Sequence, residues 1–111
     1  MTLDDELPRF AALVLDVVEQ VPPGRVLTYG DVAEYLGEGG PRRVGSVLSR
    51  YGSGVPWWRV LRADGTPAPN IAGRAFACYA REGTPLTRSG TRVDLRLARW
   101  DGTCEPTVGG L

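Results

Sequence analysis

The sequence has 111 residues, enough for one domain with a single hydrophobic core, and its thirteen basic residues, all arginine, balance thirteen acidic ones. It contains no histidine, which excludes Ser–His–Asp and Cys–His catalysis and leaves no imidazole to bind a metal. The two cysteines, Cys78 and Cys104, are too few for a disulfide framework and belong to no metal-ligand motif, so no metal or other cofactor is expected.

Nothing in the sequence points to secretion or to a membrane. No signal peptide is visible, and the longest apolar run is too short to cross a bilayer. The expected location is therefore the reducing cytoplasm, where two free thiols are ordinary.

The distribution of charge says more than its total. Residues 1–38 carry two arginines against eight acids, residues 39–81 carry seven arginines against Asp64 alone, and residues 82–111 carry four of each. Electrostatic attraction depends on where charge lies, so the middle segment is predicted to form a local binding face. Because every basic residue is arginine, each contact can be planar and bidentate.

The first predicted element is an amphipathic helix over residues 5–20. Apolar residues recur at helical spacing on one face, namely Phe10, Leu13, Val14, Val17, Val18 and Val21. Pro8 is tolerated only in the first turn of this helix, and Pro22 and Pro23 follow its end.

A helix-turn-helix is predicted next, with helices over residues 30–36 and 42–50 joined by a glycine-rich turn. Thr28 and Asp31 resemble a capping box at the start of the first helix. The second helix has a predicted apolar stripe of Val44, Val47, Leu48 and Tyr51 and an outward face of Arg42, Ser46, Ser49 and Arg50. Gly45 in its middle costs about 1 kcal/mol relative to alanine, a cost usually met where another backbone comes close.

The second half of the chain is predicted to be mixed. Residues 55–61 are partly extended, Asp64 and Gly65 form a tight turn, and a helix covers residues 71–81. The apolar residues of that helix, predicted to be buried, are Ala72, Ala75, Phe76 and Tyr79, with Cys78 as a small buried neighbour. Val93, Leu95 and Leu97 alternate with polar residues, which predicts a strand entered by a turn at Ser89 and Gly90, as in a small hairpin or wing. The chain from about residue 102 is predicted to be a flexible tail.

The sequence VPWWRV at residues 55–60 places two adjacent tryptophans next to an arginine. Two indole rings can simply fill a core, provided each buried N–H finds a partner. The surroundings favour a second interpretation, since five arginines and no acid lie between residues 39 and 63. Aromatic rings interleaved with arginine are typical of nucleic-acid binding, where rings stack on bases and guanidinium groups pair with phosphates.

Four segments in order resemble the DNA-binding domain of the O6-alkylguanine-DNA alkyltransferases: GRVLTYGDVA at 24–33, RRVG at 42–45, VPWWRV at 55–60 and GT at 65–66. In those enzymes the third segment reads Pro-Cys-His-Arg-Val, and its cysteine accepts the alkyl group; here Trp57 stands in its place. The chain therefore resembles the alkyltransferase-like branch, which binds alkylated guanine without repairing it. The resemblance covers residues 8–80 and implies a mainly α, winged helix-turn-helix domain with a small β-hairpin, as one domain over residues 1–111.

The resemblance implies that the second helix enters the minor groove of duplex DNA. The DNA-contacting residues it implies are Thr28, Tyr29, Gly30, Arg42, Gly45 and Ser46. Tyr29 would press on the phosphate 3′ to a flipped nucleotide, although it could instead only pack the helix end. Arg42 would enter the base stack beside the orphaned partner base, although an isolated arginine is usually just solvated. Arg59 is expected to be structural and to pair with an acid inside the domain.

A lesion pocket is also implied by the resemblance. Its predicted members are Tyr29, Trp57, Trp58, Asn70, Ile71, Ala72 and Gly73. Three departures from the family pattern bear on it. Trp58 replaces a histidine and could be either pocket wall or core; Tyr51 and Gly52 replace Asn-Pro; and Ala72 replaces a serine that could contact the base.

Three functions remain open from the sequence. The first is a monomeric, non-catalytic sensor that binds O6-alkylguanine in duplex DNA by nucleotide flipping and flags it for nucleotide excision repair proteins. The second is an alkyltransferase with Cys78 or Cys104 as a relocated acceptor. The third is a plain winged-helix DNA or protein adaptor, which becomes attractive if Trp58 fills the pocket.

Overall fold

The structure, a computed structural model, describes the backbone of residues 3–103 and the side chains of residues 9–103. Helices dominate it, and one two-stranded sheet crosses its centre. In chain order the elements are α1 (Leu3–Gln20), β1 (Leu27–Thr28), α2 (Tyr29–Leu36), α3 (Gly40–Tyr51), β2 (Val60–Leu61), α4 (Ala72–Glu82) and α5 (Leu95–Ala98). No helix in this range is long and apolar enough to cross a membrane.

Helix α1 supplies much of the core, as its periodicity predicted. Its apolar face is almost fully buried at Phe10, Val14, Val17 and Val18, packed against α2 and α3. The helix ends at Gln20 as expected but begins at Leu3, two residues earlier than predicted. Position 8 therefore falls beyond the first turn, and the prediction that confined Pro8 to that turn was wrong.

The helix-turn-helix is confirmed, with both helices starting slightly early. The Thr28 hydroxyl accepts from the Asp31 N–H at 3.0 Å, and the Asp31 carboxylate accepts from the Thr28 N–H at 3.0 Å, so the capping box is complete. Helix α3 begins at Gly40 rather than at residue 42, because Pro41 suits the first turn of a helix. Gly39 has φ of +91°, and a Cβ there would lie 2.2 Å from the Phe10 ring, so the turn packs closely on α1.

The outward face of α3 was predicted correctly, with one error in its apolar stripe. Val44 and Val47 are buried and Leu48 is partly buried, whereas Arg42, Ser46, Ser49 and Arg50 are exposed. Tyr51, predicted to belong to the stripe, is 42% exposed. It is the last residue of α3, at the point where the chain leaves the helix.

The sheet pairs β1 with β2 in parallel, Leu27 opposite Val60 and Thr28 opposite Leu61. A parallel pair needs a long crossover, and here α2 and α3 provide it. This sheet is distinct from the small hairpin predicted around Ser89 and Gly90. Its effect is to place the start of α2 beside the VPWWRV segment.

The predicted strand over residues 93–97 was wrong. Val93 makes a single antiparallel bridge with Leu86, closed by a turn at the expected place in which Gly90 N–H donates to Thr87 O at 2.8 Å. Asp94 then caps α5 by accepting from the Arg96 N–H at 3.1 Å, so the chain turns into a helix instead of extending. Most of the predicted tail, with Cys104, lies outside the described residues.

Candidate nucleic-acid interface

Helix α3 presents a basic, acid-free face at its N-terminal half. Arg42, in the first turn, is exposed, and no acidic side chain within residues 9–103 forms an ion pair with it. Its neighbour Arg43 is also exposed, but its guanidinium lies over the Phe10 ring, 4.5 Å from the centroid. Gly45 opens the surface one turn later, since a Cβ there would meet nothing within 4 Å. A DNA backbone could therefore approach this face closely.

A cavity of about 390 Å³ lies at the other end of α3, between the start of α2, the end of α3 and the start of α4. Its size is within the range of small-molecule sites. The residues that line it are Tyr29, Leu48, Ser49, Gly52, Ser53, Trp57, Ala68, Asn70, Ile71 and Arg74. The cavity has polar and apolar walls and is partly open to solvent, as a site for a heteroaromatic base would be.

Tyr29 is held at one edge of the cavity as the first residue of α2. Burial raises the pKa of its phenol, and the positive charge of Arg62 opposes that shift only in part. The phenol is therefore neutral at physiological pH and can donate a hydrogen bond. Thr28, predicted to contact DNA, is only 4% exposed, and its hydroxyl already accepts from the Asp31 N–H. Its part is to fix the helix start and thereby Tyr29, not to face DNA.

Trp57 forms a wall of the cavity from a 3₁₀ turn over Trp57–Arg59. Its ring meets the Trp58 ring edge to face, with centroids 5.4 Å apart, and the Arg74 guanidinium lies 5.3 Å from its centroid. The indole is thus held on two sides. A planar group entering the cavity could contact the part of Trp57 that remains accessible.

Trp58 does not line the cavity, so its place among the predicted pocket residues was wrong. Its Nε1 donates to Glu82 at 2.9 Å, and its carbonyl accepts from the Tyr79 hydroxyl at 2.8 Å. Trp58 packs, as Trp57 also does, against a core cluster formed by Val26, Leu61, Ala75, Tyr79, Val93 and Ala98. Of the two interpretations left open by the sequence, core packing is correct.

Arg59 is structural, as expected, and its acid is Glu82. Arg59 donates to Glu82 from Nε and from Nη2, the latter at 2.6 Å, and from Nη1 to Val21 O at 2.9 Å. Burial alone would raise the pKa of Glu82, but hydrogen bonds from Arg59, from the Gly24 N–H and from Trp58 outweigh burial and hold it below the usual range. One carboxylate thereby connects α4 with Gly24 and with the 3₁₀ turn that contains Trp58 and Arg59.

The loop before α4 supplies Asn70 and Ile71 to the cavity, as predicted, but not Ala72 or Gly73. The 3₁₀ turn Pro69–Ile71 carries the first two along the wall, and α4 begins at Ala72 and directs the chain away. The wall is continued by Arg74, which the sequence had not singled out. Its position directly after the predicted pocket residues 70–73, in a segment rich in arginine, was the available signal.

The end of α3 and the 3₁₀ turn Gly52–Gly54 that follows it contribute four more residues that were not among the predicted pocket members, Leu48, Ser49, Gly52 and Ser53. The DNA contacts predicted on α3 lie in its first half, because recognition helices usually contact DNA there. Ser49 was predicted to lie on the outward, polar face of α3. That prediction was the signal that this end of the helix is also accessible to a ligand.

The fold and site are those of a DNA-binding domain: a helix-turn-helix whose second helix is basic, with a cavity where that helix ends. Residues 9–83 match the family described as the DNA-binding domain of 6-O-methylguanine DNA methyltransferase, and the chain belongs to that family. A "DNA base-flipping protein" of Escherichia coli is 37% identical over 107 residues, covering 91% of this chain and 79% of the relative. The alkyltransferase-like protein 1 of Schizosaccharomyces pombe is 36% identical over 63 residues, covering 54% and 58% of the two chains.

The fold of this chain is similar to that of a relative whose structure has been solved. The crystal structure of S. pombe Atl1 in complex with damaged DNA containing O6-carboxymethylguanine superposes with a TM-score of 0.72 at 29% identity, covering 90% of this chain and 98% of the other. A methyltransferase matches over a shorter stretch: the methylated-DNA–protein-cysteine methyltransferase of Methanocaldococcus jannaschii is 47% identical over 45 residues, 40% of this chain and 26% of the enzyme.

Proposed function

We propose that the protein is a monomeric, non-catalytic sensor of O6-alkylguanine in duplex DNA. It flips the damaged nucleotide into the cavity between Tyr29, Trp57 and Asn70 and flags it for another pathway, nucleotide excision repair. The observation that carries the proposal is the cavity itself, which lies at the C-terminal end of α3 and has Trp57 as one wall. By the sequence resemblance, Trp57 stands where the related enzymes have their acceptor cysteine. The name of the E. coli relative supports the base-flipping step. The likeness to a structure solved with damaged DNA supports damaged DNA as the partner.

Flipping is needed because an O6-alkyl group inside the duplex cannot reach a concave pocket. Extrusion costs a few kcal/mol, and least for a damaged, weakly paired base, which gives a first degree of selectivity. Tyr29 presses its neutral phenol on the phosphate 3′ to the flipped nucleotide. Gly30 has no side chain and so leaves room for DNA beside Tyr29. Arg42 fills the gap in the stack, and Gly45 and Ser46 admit the DNA backbone in the minor groove.

The flipped base is held and not repaired. Indole carbon and N–H are far weaker nucleophiles than a thiolate, so Trp57 can pack on the base without taking its alkyl group. Cys78 does not line the cavity, is 7% exposed, and its Sγ accepts from Arg81 at 3.3 Å. The enzyme hypothesis therefore has no acceptor at the site among the described residues.

The adaptor hypothesis depended on Trp58 filling the pocket. Trp58 instead turns to Glu82, and the cavity beside Trp57 is open. That observation favours the sensor over a scaffold that binds DNA without flipping a base.

Binding to matched duplexes, identical except for one O6-methylguanine, tests the proposal. The protein should bind the damaged duplex more tightly at every salt concentration, because base recognition adds to the salt-dependent phosphate contacts. Equal affinity for both duplexes across the salt series would contradict it and favour the adaptor.

A further inference from the structure

Arg74 gives the cavity a chemical character that its other walls lack. It is the charged residue of the lining, whose other members are neutral side chains or glycine. Within residues 9–103, no acidic group forms an ion pair with it. The cavity thus contains a positive charge that no carboxylate of the described chain neutralises.

The position of the guanidinium is defined by Trp57. Arg74 lies in the first turn of α4, and its Cζ is 5.3 Å from the centre of the indole ring. An arginine over an aromatic face is attracted to the ring, and its N–H donors lie in the guanidinium plane and point outward at its edges. The Arg74 side chain is exposed. A ligand group can therefore reach those donors.

We propose that this cavity selects O6 adducts that carry a negative charge, such as a carboxymethyl group, over neutral adducts of the same size, and that Arg74 is the residue that selects them. The inference rests on the proposed function, because it assumes that the flipped base enters the cavity. It names the class of lesion the site takes.

Electrostatics supports the preference in two ways. An anionic adduct in DNA is surrounded by phosphates, and burying it in a pocket is costly unless a positive partner is present. Arginine meets a carboxylate with two parallel N–H···O bonds, which are shorter and stronger than neutral hydrogen bonds. Bound DNA would cover the mouth of the cavity, so the pair would be screened less than the exposed ion pairs of the free protein.

The experiment uses three duplexes of one sequence, carrying O6-carboxymethylguanine, O6-carbamoylmethylguanine or guanine at the same place. The carbamoyl group has nearly the shape of the carboxylate but no charge. The protein should bind the carboxymethyl duplex about 5- to 20-fold more tightly than the carbamoylmethyl one. This gain in affinity lies between that typical of an exposed ion pair and that typical of a charge-assisted hydrogen bond. Arg74→Gln should reduce this ratio to about one, with its affinity for the carbamoylmethyl duplex nearly unchanged.

Two control variants separate pairing from general charge. Arg74→Lys keeps the positive charge but loses the planar fork, so it should keep part of the ratio. Arg88→Gln removes an exposed arginine that does not line the cavity and should lower affinity for all three duplexes by a common factor, leaving the ratio intact.

The outcomes separate this inference from the function on which it rests. If both adducts bind more tightly than guanine but equally with each other, or if Arg74→Gln keeps the full ratio, the selection by Arg74 is wrong and the sensor function stands. If Arg74→Gln weakens all three duplexes equally, Arg74 is a phosphate contact and the inference is again wrong. If the wild-type protein binds all three equally, the sensor function fails and this inference fails with it.

Discussion

Arg42 and Arg43 are adjacent in the sequence, yet they have different surroundings in the fold. Arg43 is drawn over the Phe10 ring of α1, which fixes its guanidinium against the body of the protein. Arg42 is exposed in the first turn of α3 and has no acidic partner in the described part of the chain. Only Arg42 is therefore free to extend into a base stack without breaking an existing contact.

The first prediction concerns Arg42→Ala. If Arg42 fills the gap left by a flipped base, the variant should lose most of its preference for O6-methylguanine over undamaged duplex. A stacking or gap-filling contact contributes about 1–3 kcal/mol, so the preference should fall roughly 5- to 150-fold. Fluorescence anisotropy with both duplexes at several salt concentrations measures it.

Arg50→Ala is the matched control, because Arg50 lies on the same face of α3 near its other end and is also exposed. It should lose affinity for both duplexes equally and reduce the salt slope by about one ion. An Arg42→Ala variant that behaves in the same way would show a phosphate contact and end the assignment of Arg42 as the gap-filling residue.

The second prediction concerns Trp57 and the absence of alkyl transfer. Incubation with a duplex that carries a radiolabelled methyl group on O6 of guanine should leave the label on DNA, because the cavity offers no thiolate among the described residues. Intact-protein mass spectrometry provides a second readout. Stoichiometric label on Cys78 or Cys104 would instead identify an enzyme.

At the scale of single elements, the start of α2 connects stability with the site. Thr28 caps the helix, and Tyr29 is its first residue and an edge of the cavity. Asp31, the other half of the capping box, also accepts from Arg99 Nε at 3.0 Å, so the C-terminal segment is tied to the same helix end. The orientation of Tyr29 thus depends on a local capping motif.

The third prediction follows from that motif. Thr28→Ala should lower the free energy of unfolding by about 1 kcal/mol, the usual cost of losing a helix cap. It should also weaken binding to damaged DNA more than to undamaged DNA, because Tyr29 loses its fixed position. Thr28→Ser keeps the hydroxyl and should retain both properties; if it loses them equally, the capping bond is not the cause.

The helices were predictable because their signals are local. The apolar periodicity of α1, the capping box of α2 and the glycine turn before α3 each act within a few residues, and each agrees with the packing. The strand over 93–97 failed for the opposite reason. Its alternation was only five residues long, and one side-chain bond from Asp94 to the Arg96 N–H is enough to favour a helical turn instead.

The site was predictable only in part, because some of its residues are placed by contacts between distant parts of the chain. Tyr29 and Trp57 were identified from short ordered motifs, and both line the cavity. The direction of Trp58 depends on Glu82, 24 residues away, and the contribution of Arg74 depends on where α4 begins. Neither fact is encoded in the local sequence, because both result from how distant elements pack.

At the scale of the whole molecule, Glu82 joins elements that are far apart in the chain. Its carboxylate accepts from Arg59, from Trp58 Nε1 and from the Gly24 N–H, and Arg59 in turn donates to Val21 O at the end of α1. The Arg59 and Glu82 side chains are only 14% and 12% exposed. The end of α1, the 3₁₀ turn that carries Trp57 and the last turn of α4 are therefore held by one charged group.

The fourth prediction is that Glu82→Gln lowers the free energy of unfolding by about 2–4 kcal/mol at pH 7, since it leaves Arg59 without a charged partner in a mostly buried place. Chemical denaturation measures this. Glu38→Gln is the matched control, because Glu38 pairs with Arg9 at 3.1 Å on the surface, where their side chains are 38% and 62% exposed. That variant should change stability by no more than about 0.5 kcal/mol. Similar losses from both variants would mean that Glu82 is not central to the fold.

The fifth prediction is the pH dependence of that stability. The pKa of Glu82 is lower in the folded protein than in the unfolded chain, so the folded state favours the ionised carboxylate. The resulting stabilisation is present above the unfolded pKa of glutamate, about 4.3, and is lost as the pH falls through the lower, folded value. The wild-type protein should therefore lose stability more steeply than Glu82→Gln as the pH falls from about 5 to 3, and the two should converge at the acid end. The exposed Asp64 and Asp101, whose pKa values are lowered by hydrogen bonds from Thr66 and Thr103, add the same slope to both proteins and cancel in the comparison. Parallel curves would show that the charge of Glu82 is not what holds these elements together, and that a neutral side chain of the same shape serves equally well.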